Sequence, residues 1–191
     1  AALAGLYLVY VGGWPILLIG VASILAGLAY TAGPFPLGYN GLGDVFVFLF
    51  FGLAGVMGTY YVQALSVNWP SFLAAIPVGA LTTNIIVVNN VRDADTDRAV
   101  GKRTLAVLLG RDAARAEYAL LVAVAYLTPL VLWLGYGLPV WTLLPWITLP
   151  WAVSLTRMVY TVLGPGLNKG LVGTARLLAV FGVLFALGIV L

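Results

Sequence analysis

Pro70-Ser71-Phe72-Leu73-Ala74-Ala75-Ile76-Pro77-Val78-Gly79-Ala80-Leu81-Thr82-Thr83-Asn84-Ile85-Ile86-Val87-Val88-Asn89-Asn90-Val91-Arg92-Asp93-Ala94-Asp95-Thr96-Asp97-Arg98 is the stretch that decides the fold of this chain. It runs from Pro70 to Val91 without a charge, then carries five charged residues between Arg92 and Arg98. An apolar run of roughly 20 residues is what a helix needs to cross the hydrocarbon of a bilayer. The charges that follow it mark a membrane surface and a place where charge is wanted.

The rest of the chain reads the same way. Of 191 residues, 63% are hydrophobic and 8% charged, and mean hydropathy is +1.09. Soluble domains carry roughly 45–50% apolar and about 25% charged residues, so the composition is that of an integral membrane protein. Eleven of the fifteen charged residues lie between Arg92 and Glu117. With no cysteine and no histidine, disulfides, thiolate metal sites and imidazole bases are excluded. The net charge of +3 describes one loop, not a basic face for nucleic acid, and no nucleic-acid partner is expected.

Six spanning segments are predicted: Trp14–Tyr30, Asp44–Ser66, Pro70–Val91, Ala113–Leu134, Val140–Thr161 and Gly170–Leu191. The breaks fall at Gly12-Gly13, the Gly/Pro-rich run Gly33–Gly43, Asn68-Trp69-Pro70, the charged loop, Gly135–Pro139 and Gly164–Lys169. The fold class is therefore all-α, a multi-pass transmembrane helix bundle forming a single domain over residues 1–191. Ala1–Val11 reaches only about 17 Å at 1.5 Å per residue, so it is expected to be the remnant of a cut helix and the chain a fragment. All nine Lys and Arg fall on connections of one side, which the positive-inside rule makes cytoplasmic. The C-terminus is then expected outside the cytoplasmic membrane.

Asn89, Asp93 and Asp97 are spaced i, i+4, i+8, which on a helix places them along one face with a drift of about 40° per step. Such hard oxygen donors suit Mg²⁺, which takes one or two carboxylates, several waters and phosphate oxygens. Arg92, Arg98, Lys102 and Arg103 are the cations able to hold remaining phosphate charge. A solvated loop obeying the positive-inside rule accounts for the cations but not for the bunched aspartates.

Two blocks carry a family resemblance. Asn89-Asn90-Val91-Arg92-Asp93 through Asp97, followed by Gly101-Lys102-Arg103-Thr104-Leu105-Ala106-Val107-Leu108-Leu109-Gly110, resembles the second aspartate motif of the UbiA superfamily of intramembrane prenyltransferases. Tyr30-Thr31-Ala32-Gly33-Pro34-Phe35-Pro36-Leu37-Gly38-Tyr39-Asn40-Gly41-Leu42-Gly43-Asp44, with Gly58-Thr59-Tyr60-Tyr61-Val62-Gln63, is similar to the branch acting on 1,4-dihydroxy-2-naphthoate in menaquinone synthesis. The resemblance implies nine helices in the family, of which this chain holds about six and a half, without the first two helices and the first aspartate motif. It also implies Mg²⁺-dependent transfer of a polyprenyl group from its diphosphate to the naphthoate ring, with loss of the ring carboxylate as CO₂, giving demethylmenaquinone. Carried over by position, Asp93 and Asp97 are Mg²⁺ ligands. Asn89, Asn90, Arg92, Lys102 and Arg103 bind substrate, and Asp95 points off the ligand face. Tyr30 is placed near the reacting centre, against the plain reading of an interfacial anchor.

Other residues read more simply. Asp44 is expected to cap the helix from Val45 onward, with proton acceptance as the minor reading. Phe46, Phe48, Phe50 and Phe51 read as packing or lipid-facing residues, some lining a prenyl channel. Gly52, Gly55 and Gly58 suggest a close helix contact. Arg157 and Arg176 are expected to snorkel, and Trp133, Trp141 and Trp146 to form an outer belt. Alternatives to the naphthoate acceptor are hydroxybenzoate or homogentisate, or a non-catalytic membrane bundle. The near absence of charge within the spans argues against a transporter.

Overall fold

The computed structural model describes residues 2–32 and 34–191; Ala1 of the expected stub and Gly33 of the expected turn run lie outside the described residues. Helices make up the fold, and no strand occurs among the described residues. Five of them are long and apolar enough to cross a membrane, and the protein is an integral membrane protein.

Helix α1 (Ala2–Thr31) joins the expected stub and first span, broken at Gly13, whose φ of 64° and ψ of −152° are not helical. Only glycine enters that region readily, so the break sits where the Gly12-Gly13 pair predicts it. The second span is three pieces: α2 (Gly43–Val47), a π-helical stretch (Phe48–Ala54) and α3 (Gly55–Ala64). The wider π turn lays Gly52 directly against the backbone of Gly79, where a Cβ on Gly52 would collide and one on Gly79 would be tight at 3.1 Å from Gly52 Cα.

Helix α4 (Trp69–Ala99) is the hub. It starts on a capping box: Asn68 Oδ1 accepts from the Ser71 N–H at 2.8 Å, and Ser71 Oγ accepts from the Asn68 N–H at 3.3 Å, worth about 1 kcal/mol. More than half of its apolar window (56%) is buried, against 6% for α1. The expected end at Val91 is corrected, because the helix runs through the charged motif to Ala99. Paired side chains allow this, since the motif's charges are neutralised by cations on the same and neighbouring elements.

Beyond α4 come α5 (Leu105–Leu108) and α6 (Arg111–Tyr136). The fifth expected span is a 3₁₀ stretch (Val140–Thr148) followed by α7 (Leu149–Thr161), not one α-helix. Pro145 and Pro150 remove the donors a continuous α-helix needs there. At about 2.0 Å per 3₁₀ residue and 1.5 Å per α residue, the composite still reaches roughly 38 Å. A short 3₁₀ turn (Gly164–Leu167) leads into α8 (Asn168–Val190).

Tyr118, Phe181, Leu81, Leu132 and Leu177 are fully buried between α4, α6 and α8. Two buried tyrosine hydroxyls are paired, as a bilayer interior demands: Tyr118 Oη lies 2.9 Å from Thr174 Oγ1, and Tyr126 Oη lies 2.6 Å from Thr148 Oγ1. Cross-links between helix termini place the end of α4 beside the starts of α2, α6 and α8, with the end of α7 close by. The charged groups therefore gather at one end of the bundle.

Candidate functional site

The end of α4 is shaped by its own sequence. The Gly101 N–H donates to Arg98 O (3.2 Å) and the Lys102 N–H to Asp97 O (2.9 Å), closing a Schellman turn. Gly101 supplies the left-handed residue this turn requires, with φ of 76°. The turn folds Lys102 back over the helix it has just left, and its Nζ reaches Asp97 Oδ2 at 3.1 Å. The next N–H, of Arg103, donates to Tyr39 O at 2.8 Å. That bond pins the loop before α2 onto the loop after α4, and Lys102 Nζ rests 5.6 Å from the centre of the Tyr39 ring.

The motif residues lie on the expected helix and share its site-facing side, with two kinds of surroundings. Asn89 and Asn90 line a polar cavity of about 110 Å³ together with Tyr30, Tyr39, Asp44, Lys102 and Thr104. Asp93 is clamped by Arg92, whose Nε and Nη2 donate to its two oxygens at 2.7 and 2.6 Å. The same guanidinium donates to Asn89 Oδ1 and to Asn168 Oδ1, both at 2.7 Å. Asp93 thereby faces a separate, larger polar cavity of about 550 Å³ bordered by Arg111, Gly164 and Asn168. Asp97 is buried under Lys102. Asp95 is exposed and borders the same larger cavity, with Arg111 Nη2 at 2.7 Å.

Arg103 is exposed and outside the polar cavity; its backbone holds the loop. Asp44 overturns its expected role as a helix cap. Leu42 occupies the N-cap position with no side-chain cap bond, and the Asp44 carboxylate is buried inside the cavity. Its amide partner is Asn90, whose Nδ2 donates to Oδ1 and Oδ2 at 3.3 and 3.5 Å. Nothing in the local sequence pairs these two residues, which lie 46 positions apart. Thr104 and Asn168 are likewise residues that sequence reasoning passed over; Thr104 had a signal, its place in Gly101-Lys102-Arg103-Thr104, and Asn168 had none.

Tyr30 is half-buried, not an exposed anchor. Its ring lies so close to Gly38 and Gly43 that a Cβ there would come within 2.8 Å of Cε1 and 3.1 Å of Oη, respectively. Those glycines make a seat for the ring. Tyr30 and Ile86 border both the polar cavity and an apolar one of about 500 Å³, lined by Phe46, Phe50 and Phe51. Phe46 and Phe50 stack at 5.7 Å, whereas Phe48 packs into the core. Of the glycine series only Gly52 makes a close helix contact; Gly58 meets nothing within 4 Å. Arg157 and Arg176 are exposed, as are Trp141 and Trp146, with Trp133 half-buried.

The oxygen donors Asp93, Asp97 and Asn89 fit a hard divalent cation by type. Among the described residues no cluster of three or more acidic ligands forms, and a cation held by these residues would need further oxygen ligands. Arg92 and Lys102 neutralise Asp93 and Asp97 respectively.

An apolar helical bundle with a carboxylate–cation rim beside polar and apolar cavities is the architecture of a multi-pass membrane protein. The UbiA prenyltransferase family model matches residues 1–165, and the chain belongs to that family. It is 36% identical over 192 residues to the 1,4-dihydroxy-2-naphthoate octaprenyltransferase of Mycobacterium leprae (strain TN), covering 97% of this chain and 63% of that protein. The protein of the same name from Escherichia coli (strain K12) is 37% identical over 177 residues, 92% of this chain and 57% of its own length. The 2-carboxy-1,4-naphthoquinone phytyltransferase of Synechocystis (strain ATCC 27184 / PCC 6803 / Kazusa) is 36% identical over 147 residues, 76% and 48% of the two chains. The chain thus spans less than two thirds of each of these relatives. Prenyltransferases of this family generally depend on a divalent metal.

Proposed function

We propose that this protein transfers a polyprenyl group from polyprenyl diphosphate to 1,4-dihydroxy-2-naphthoate, a step of menaquinone synthesis, as one transmembrane domain whose charged end faces the cytoplasm. The observation that supports this reading most is the pair of cavities meeting at Tyr30 and Ile86, polar on the rim side and aromatic on the other. An aromatic acid matches that division of polarity, and the separate cavity of about 550 Å³ beside Arg92, Asp93 and Arg111 suits a diphosphate head.

In this reading Asp93 and Asp97 hold Mg²⁺, with Asn89 and Asn90 supporting the head group. The metal supplies neutralisation of the diphosphate charge as the leaving group departs. Arg92 and Lys102 exchange their carboxylate partners for phosphate oxygens, and Arg103 meets the head group from the exposed rim. Tyr30, seated against Gly38 and Gly43, presents its π-face or hydroxyl to the positive charge that develops on the allylic carbon. The aromatic walls keep water from that carbon.

The acceptor is tested with a panel in the presence of Mg²⁺ and polyprenyl diphosphate. Prenylation of 1,4-dihydroxy-2-naphthoate well above that of 4-hydroxybenzoate and homogentisate is expected. Preference for either of the other two overturns the naphthoate assignment.

A further inference from the structure

Two residues that line the polar cavity carry groups without adequate partners, a carboxylate that only accepts and a hydroxyl that can donate. Asp44 is 4% exposed, and its carboxylate has capacity for about four hydrogen bonds. It receives only the long contacts from Asn90 Nδ2 at 3.3 and 3.5 Å and one from its own backbone N–H. No cation forms an ion pair with it among the described residues; Lys102, which lines the same cavity, is engaged by Asp97. A carboxylate buried with so little compensation is costly, and in a membrane protein such a group marks function. Thr104 is 3% exposed, and its Oγ1 has no hydrogen-bond partner among the described residues. It occupies the N-cap position of α5, where a threonine hydroxyl ordinarily accepts a backbone N–H, yet it makes no such bond.

The complement to this pair is a ligand with a hydroxyl to donate to Asp44 and an anionic oxygen to accept from Thr104. A phosphate alone would meet the Asp44 charge unfavourably, and a bare hydrocarbon ring would leave both groups unsatisfied. The volume sets a further limit. At about 110 Å³ the cavity is smaller than the 150 Å³ or so of an engineered cavity that holds benzene. A ring that fits enters it by its substituted edge alone, on the side where Tyr30 and Ile86 also border the apolar cavity.

We propose that Asp44 and Thr104 select the acceptor: Asp44 accepts the hydrogen bond of a ring hydroxyl, and Thr104 donates to a carboxylate on the adjacent ring carbon. The assignment rests on the prenyl-transfer reading and adds to it the ligand groups that each residue recognises. The probes are 1-hydroxy-2-naphthoate, 2-naphthoate without the hydroxyl, and 1-naphthol without the carboxylate, with binding to the detergent-purified full chain measured by equilibrium titration.

Wild type is expected to bind 1-hydroxy-2-naphthoate at least about tenfold tighter than either other probe. Asp44→Asn removes the preference over 2-naphthoate. Thr104→Val, a change of nearly constant volume, weakens both carboxylates about tenfold and leaves 1-naphthol unchanged. Should Asp44→Asn fail to fold, Thr104→Val decides alone. Unchanged ratios in the variants overturn the assignment, and prenyl transfer by wild type would then stand without it. Ratios that shift as stated in a protein without prenyl transfer support the acceptor pocket and overturn the reaction.

Discussion

At the residue scale the site turns on which charge each carboxylate faces. Lys102 reaches Asp97 because Gly101 reverses the chain in a left-handed turn, so the sequence Gly-Lys is both a helix stop and a charge placement. Removing the cation leaves a largely buried carboxylate unpaired, which costs about 3–5 kcal/mol at a fully buried pair and less at this partly solvated one. Lys102→Met should therefore lower the unfolding temperature in detergent. Because the proposed metal binds the same carboxylate, Mg²⁺ should raise that temperature more in the variant than in wild type. An equal response in both proteins would contradict Asp97 as a ligand. The spacing of Asn89, Asp93 and Asp97 made their place on one helix legible in advance, since it depends only on helical periodicity. Asp44 was illegible because its partner Asn90 is 46 positions away, and aspartate near a helix start ordinarily caps it. Asn168, 76 positions from Arg92, could not be read for the same reason.

At the scale of elements, α4 carries both the core and the site, and the π-helical stretch sets how close α2 and α3 come to it. Gly52 and Gly79 touch backbone to backbone, which fixes the distance between Asp44 and Asn90 further along the same pair of elements. Gly52→Val forces them apart and should destabilise the protein by about 1–3 kcal/mol, the usual cost of overpacking. Gly58→Ala, with nothing within 4 Å, should be nearly neutral when both are compared by thermal unfolding. Equal effects would mean that the crossing is not the constraint. Sequence spacing suggested three contact glycines; the π turn changes the angular step per residue, so only one of them meets α4. Hydropathy likewise read Val140–Thr161 as one span, although its prolines impose a 3₁₀ start. Apolar length was legible, whereas the kind of helix depended on donors that proline removes.

Across the whole molecule, polarity is sorted to one end. The helix termini that meet there bring Asp44, the Asn89–Asp97 motif, Lys102, Arg111 and Asn168 from five separate stretches of chain. Composition alone foretold a membrane bundle, and the clustering of cations foretold one charged end, because the cost of burying charge in hydrocarbon leaves few other places for it. How the loop around Tyr39 folds onto the Lys102 loop followed from a single backbone bond and was not foreseeable. The central claim is that the aspartates of this motif hold the metal for prenyl transfer. Its most direct test is turnover of polyprenyl diphosphate and 1,4-dihydroxy-2-naphthoate with and without Mg²⁺, in wild type, Asp93→Ala and Asp97→Ala, with helix content checked in each. Mg²⁺-dependent turnover in wild type, falling at least about a hundredfold in both variants with folding retained, is the expected result. Wild-type-like turnover in either folded variant would contradict the account.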